Sequence, residues 1–180
     1  CKKRVVWLVV FFFGELLVIV AVSNFEGWVV GVVMLVVFVF FIIFSGGNSG
    51  SQAVTLIIQA MALDEVTVKD WWRIMRREIV SGITLGLTLC TISFAVITCW
   101  HFFSPAFGEH YVRIAGVVGF SLIGVVLWGT LMGSMLPLLM KRLGADPAAS
   151  STPFVATLVD VTGLLIYFSF AILFLKDVLL

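Results

Sequence analysis

Asp160 has the strongest chemical implication of any residue in this chain, because the segment around it, 154–175, otherwise has the sequence of a membrane-spanning helix. A carboxylate at bilayer depth costs several kcal/mol unless it faces a partner, water or an ion. Thr152, Ala156 and Asp160 are spaced by four residues, so a helix would place them on one face. Further hydroxyl oxygens nearby belong to Thr157 and Thr162. This set of oxygen donors suits a hard cation, above all Mg²⁺, better than zinc or copper.

A second polar group lies in and after the glycine-rich sequence SGGNSGSQ at 45–52. Its members recur at spacings of three and four residues: Asn48, Ser51, Gln52, Thr55 and Gln59. A continuing helix would align them in one stripe, either as a hydrogen-bonded seam between helices or as an ion-conducting face. Because Asp160 is a charged partner at a similar depth, we favour the conducting face.

One carboxylate per chain is a sparse ligand set for a divalent cation. A homodimer with its two-fold axis close to Asp160 would bring two carboxylates to one ion. The alternative is a protonated Asp160 that is hydrogen-bonded to a neighbouring helix.

The composition predicts that these side chains are positioned by membrane-spanning helices. Hydrophobic residues make up 62% of the 180 residues and charged residues 12%, with a mean hydropathy of +1.20. Since about 20 apolar residues cross about 30 Å of hydrocarbon, we expect an all-α integral membrane protein with five transmembrane helices. The predicted spans are 5–22, 28–63 with a break near 45–52, 79–103, 114–140 and 153–175. The break is expected because 28–63 would otherwise extend about 54 Å.

The loop charges predict the orientation of these spans. Of the 11 Lys and Arg residues, nine fall at the N-terminus and in the loops 64–78 and 141–152. This bias predicts that these segments and the N-terminus are cytoplasmic and that the C-terminus is outside. In the 64–78 loop, Trp71 and Trp72 beside basic residues are typical of a helix lying at the membrane interface. We expect contact with the lipid bilayer of the cell membrane and no nucleic-acid partner.

Other residues have simpler interpretations. Cys1, Cys90 and Cys99 lack metal-ligand spacing. Gly129 and Gly133 form a small-xxx-small pattern that predicts close helix packing. His101 and His110 are interpreted as surface histidines. The sequence shows no pairing of a nucleophile with a base that would predict an enzyme.

Three long motifs resemble the transmembrane domain of the MgtE family of magnesium channels, which is related to eukaryotic solute-carrier magnesium transporters. They are SGGNSGSQAVTLIIQAMALDEV at 45–66, MGSMLPLLMKRLGADP at 132–147 and PFVATLVDVTGLLIYFSFA at 153–171. The resemblance covers essentially all 180 residues as one pore domain.

The resemblance implies a homodimer that passes Mg²⁺ into the cytoplasm through a pore lined by the second and fifth helices. It makes Asp160 the main pore acid and Ala156 a residue whose carbonyl faces the hydrated ion, and it assigns Thr55 as a pore threonine. Family members usually carry cytoplasmic N and CBS regulatory domains, which we expect on the full-length protein. Ser51 and Thr152 stand where well-known members often have Asn, which shortens the side chain at two pore positions.

Two alternatives stay open. Glu15, in the first predicted span, is either a neutral hydrogen-bonded carboxyl or an auxiliary ion or proton site. If Glu15 and Asp160 were coupled, the chain would be a secondary divalent-cation transporter driven by H⁺ or Na⁺. A non-transporting assembly subunit would not explain oxygen donors aligned on two helices.

Overall fold

The computed structural model describes 33–103 and 110–179, together with residues 13, 14, 16 and 20. Four long helices occupy these ranges: α1 (Val33–Ala62), α2 (Trp71–Phe103), α3 (Tyr111–Arg142) and α4 (Pro147–Leu179). A 3₁₀ turn, Val68–Asp70, precedes α2. No strand occurs among the described residues, which confirms the all-α prediction for them.

All four helices are long and apolar enough to cross a membrane, with stretches of 24 to 36 residues that meet this criterion. They correspond to the second to fifth predicted spans. Most of the first predicted span, including Glu15, lies outside the described residues, as do residues 104–109. The five-helix count and the orientation therefore stay predictions.

Helix α3 is the centre of the bundle. It packs against α1, α2 and α4, and α1 also packs against α4. Its residues Val117, Val118, Leu122 and Val125 are completely buried, whereas most α2 side chains within the span are exposed. An apolar helix that exposes most of its side chains is expected to face lipid.

The predicted break at 45–52 is wrong, because α1 continues as an α-helix through the glycine-rich sequence. Gly46 and Gly50 lie on the side of α1 that faces α3. A Cβ at Gly129 would lie 2.5 Å from the Gly46 carbonyl oxygen, and a Cβ at Gly133 would collide with the Gly50 carbonyl oxygen. The glycines therefore form a close crossing of two backbones, which confirms that Gly129 and Gly133 are packing residues.

The 64–78 segment also differs from its prediction as a separate interfacial helix. Asp70 accepts hydrogen bonds from the backbone N–H (3.0 Å) and the hydroxyl (2.8 Å) of Thr67, which stabilises the turn before α2. α2 then begins at Trp71 and runs without interruption to Phe103. Trp71 and Trp72 are thus in the first turn of a spanning helix.

Helix α4 begins before the predicted span. Gly144, with φ of 74°, and the hydrogen bond from the Ala145 N–H to the Met140 carbonyl (2.9 Å) end α3. Asp146 then accepts a hydrogen bond from the Ala148 N–H (3.0 Å), as an N-cap does, and Pro147 takes the first helical position. Pro153, expected in the first turn, consequently lies inside the helix, where it leaves one backbone carbonyl without its helical donor.

The crossing predicts a position-specific loss of stability. Gly133→Ala should lower the free energy of unfolding by about 1–3 kcal/mol, because the new methyl group meets the backbone of α1. Gly116→Ala is the matched control on the same helix, since its Cβ would lie 3.5 Å from Phe174, an ordinary contact. The thermal unfolding midpoints of both variants in detergent check this, and equal midpoints would contradict the crossing.

Candidate functional site

The predicted polar stripe of α1 forms an open groove. Asn48, Ser51, Gln52 and Thr55 line it together with Leu56, and it has a volume of about 550 Å³. Because α1 does not break, the spacing of three and four residues places all four polar side chains on one helix face. The structure thus brings together four of the predicted site residues on α1.

The hydroxyl groups of this helix leave their oxygens available as acceptors. The Thr55 hydroxyl donates to the Ser51 carbonyl at 2.9 Å, and the Ser45 hydroxyl donates to the Phe41 carbonyl at 2.7 Å. A hydroxyl whose one proton is used within its own helix can still accept hydrogen bonds through its lone pairs. Water molecules around a cation are donors, so Thr55 suits contact with a hydrated ion.

Asp160 lies against α1 beside this groove. A Cβ added to Gly47 would lie 3.4 Å from the Asp160 Oδ1 atom, so the carboxylate contacts a position of α1 that has no side chain. Ser51 is one helical turn beyond Gly47, and therefore Asp160 flanks the groove on its Ser51 side. Within one chain, the contact of Asp160 with α1 is therefore at Gly47, next to the polar stripe.

The approach of Asp160 to Gly47 depends on the neighbouring glycines. A Cβ at Gly46 would lie 2.8 Å from a methyl group of Val159, and a Cβ at Gly50 would lie 2.7 Å from a methyl group of Val155. Both valines are completely buried. The absence of side chains at Gly46 and Gly50 thus sets the short distance between α1 and α4.

Two hydrogen bonds fix α4 relative to the other helices. The fully buried Tyr167 donates its hydroxyl to the Leu35 carbonyl of α1 at 2.8 Å. Trp128 of α3 donates its indole N–H to the Thr162 hydroxyl at 2.7 Å, while Thr162 donates to Leu158 at 2.6 Å. Thr162 is therefore a packing residue of α4, and its oxygen is already engaged.

The remaining predicted site residues occupy different surroundings. Thr152 and Ala156 are half-buried on α4, on the side of the helix that carries Asp160. Thr157 is next to the first predicted span, since a Cβ at Gly14 would lie 2.6 Å from its methyl group. Glu15 lies outside the described residues.

The described residues contain no cluster of three or more His, Cys, Asp or Glu side chains that could hold a metal ion. Within this part of one chain, a cation would meet a single carboxylate together with neutral hydroxyl, amide and carbonyl oxygens. Such a set can hold an ion that keeps most of its water, as Mg²⁺ does, better than one that must be stripped of it.

Sequence reasoning did not identify Gly47 as the contact of Asp160, nor the pairing of Gly46 and Gly50 with α3. A signal was present, because both helices carry glycines four residues apart and such pairs often pack on each other.

Comparisons with known proteins identify the family to which the chain belongs. The family model MgtE, described as a divalent cation transporter, matches residues 39–170. A magnesium transporter MgtE of Thermus thermophilus is 40% identical over 175 residues, which cover 97% of this chain. Proteins of the same name from Enterococcus faecalis and Bacillus subtilis are each 29% identical over 97% of this chain.

The chain spans 37% of the length of each of these three relatives. The family match covers the glycine crossing, the polar groove and Asp160, which are the features that define the candidate site. This chain therefore belongs to the MgtE family of divalent cation transporters and is a multi-pass protein of the cell membrane.

Proposed function

We propose that this chain forms the pore of a magnesium channel that conducts partly hydrated Mg²⁺ into the cytoplasm. The observation that carries the proposal is the position of the Asp160 carboxylate against Gly47, beside the polar groove of α1. The magnesium transporters named above support Mg²⁺ as the ion.

The groove is open and has room for a hydrated ion, and its polar lining residues are neutral. Six water molecules occupy about 180 Å³ at their liquid volume. The groove, at about 550 Å³, is large enough for an ion with its complete inner hydration shell. Since Mg²⁺ gives up its water reluctantly, neutral oxygens that contact the waters suit it better than a tight cage of direct ligands.

The exposure of the groove supports a homodimer. Asn48, Gln52 and Thr55 are exposed on the chain, yet polar groups at bilayer depth are costly against lipid. Toward the N-terminal end of α1, the helix face that carries the groove is apolar, and Phe40 and Phe44 on it are each more than half exposed. A second copy across a two-fold axis would cover the apolar part, enclose a watery path along the polar part and supply a second Asp160.

In this proposal each site residue has a distinct role. Asp160 supplies the negative charge that offsets the loss of outer-shell water from the ion. On α1, oxygen atoms accept hydrogen bonds from the water molecules of the ion; they belong to Asn48, Ser51, Gln52 and Thr55. Thr152 and the Ala156 carbonyl contribute oxygens on α4.

Removal of the carboxylate is the first test. Asp160→Asn and Asp160→Ala should each reduce Mg²⁺ flux into proteoliposomes about tenfold or more, because a charge-assisted interaction with the ion is lost. Asp64→Asn, in the exposed turn after α1, is the control and should leave flux unchanged. Wild-type flux in Asp160→Ala would refute the proposal. Flux that follows an imposed H⁺ or Na⁺ gradient would instead indicate a coupled transporter.

The hydroxyl of Thr55 provides a second test. Thr55→Val keeps the side-chain shape but removes the acceptor oxygen, so Mg²⁺ flux should fall about threefold, as expected for the loss of one hydrogen bond. Thr84→Val is the matched control, because Thr84 is also exposed and donates to its own helix, to Val80 at 2.8 Å, but lies on α2. Equal flux in the two variants would place Thr55 outside the ion path.

The presence of water in the groove can be tested without measuring flux. In a protein with its native cysteines replaced by Ala, Asn48→Cys and Thr55→Cys should react with a charged, water-soluble thiol reagent about tenfold faster than Phe44→Cys, because only a hydrated thiol ionises readily. Phe44 lies on the same line of α1 and is 63% exposed on the single chain. Equal labelling rates at all three positions would contradict a hydrated groove.

A further inference from the structure

A second cavity lies away from the polar groove, where α2 begins and α3 ends. Its volume is about 310 Å³, and its walls include Val68 and Trp71 on one side and Met135, Leu136, Leu139 and Arg142 on the other. Apart from Arg142 the walls are apolar, so a small polar molecule would gain little from entering. A hydrocarbon chain would be stabilised by burial there.

The cavity is at an end of the bundle whose residues are typical of the membrane–water interface. Trp71 and Trp72 are each about half exposed, at 51% and 49%, and the Arg76 guanidinium lies 4.9 Å from the centre of the Trp72 ring. Exposed Trp next to Arg is typical of the headgroup level of a bilayer. A cavity that opens at this level can take a lipid chain from the membrane and keep its headgroup in the interface.

The charge at this end favours an anionic headgroup. Arg142 lines the cavity, and Lys69, Arg73, Arg76 and Lys141 are nearby in sequence and exposed. Of the acidic residues at this end, Asp70 binds Thr67 and Arg73, and Asp146 caps α4. Asp64 and Glu65 are exposed in the turn after α1 and do not line the cavity, so Arg142 is the charged residue of its wall. Basic pockets between transmembrane helices are suited to lipid phosphate groups.

We propose that this cavity binds an anionic phospholipid of the bilayer, with one acyl chain against Met135 and Leu139 and the phosphate at Arg142. The site is separate from the ion path and does not depend on the proposed magnesium flux. The bound lipid contacts both the first turn of α2 and the last turn of α3 at one face of the membrane.

Native mass spectrometry of the detergent-purified chain tests this, with phosphatidylglycerol and phosphatidylcholine of identical acyl chains as probes. The first phosphatidylglycerol should bind about fivefold more tightly than phosphatidylcholine, as expected for one basic side chain near the phosphate. Arg142→Gln should abolish this preference and Arg142→Lys should keep it. Lys69→Gln, which removes the same charge outside the cavity, should keep it too.

The proposed contact with the acyl chain can be tested with a second variant and its matched control. Leu139→Asn should weaken the binding of both lipids, whereas Leu143→Asn, at an exposed position outside the cavity lining, should not. Equal affinity of the wild-type chain for the two lipids would overturn the proposal, whether or not any variant folds. Displacement of phosphatidylglycerol by inorganic phosphate would also overturn it, because the site would then recognise a free anion rather than a lipid.

Discussion

The close crossing of α1 and α3 determines how the other helices of the bundle pack. Gly46 and Gly50 meet Gly129 and Gly133 at distances that leave no room for a Cβ. Without water between helices, association in a membrane relies on close packing rather than on the hydrophobic effect, so such contacts have a large share in holding the bundle together. Because α4 packs on the same glycines through Val155 and Val159, the crossing also determines where Asp160 lies.

The crossing allows α1 to carry a polar face and still pack stably in a membrane. A helix with Asn, Ser, Gln and Thr on one face would be unstable against lipid if it stood alone. On α1 the glycines bind the helix to its neighbours on one side, which leaves the opposite side free to carry a polar groove. The same glycine-rich sequence thus has two roles. Gly46 and Gly50 allow close packing of the helices, and Gly47 allows the Asp160 carboxylate to approach α1.

Much of this could be predicted from the sequence. The hydropathy located four spans that the structure describes, and the spacing of Asn48, Ser51, Gln52 and Thr55 correctly placed them on one face. The predicted break in α1 was wrong. The polar, glycine-rich sequence 45–52 favours a break when 28–63 is considered alone, whereas the glycines pack on Gly129 and Gly133, which are distant in sequence. The early start of α4 was missed because Asp146 and Pro147 resemble a loop until the cap is recognised.

In the proposed channel, paired Asp160 carboxylates hold a hydrated Mg²⁺ between two copies of this chain. A structure of the protein with Mn²⁺ in place of Mg²⁺, with the metal located by anomalous diffraction, tests it most directly. We expect one metal peak on a two-fold axis, about 4 Å from the Asp160 oxygens, the distance set by one intervening water. A metal peak far from Asp160, or an Asp160 carboxyl enclosed between helices of one chain with no ion beside it, would contradict the account.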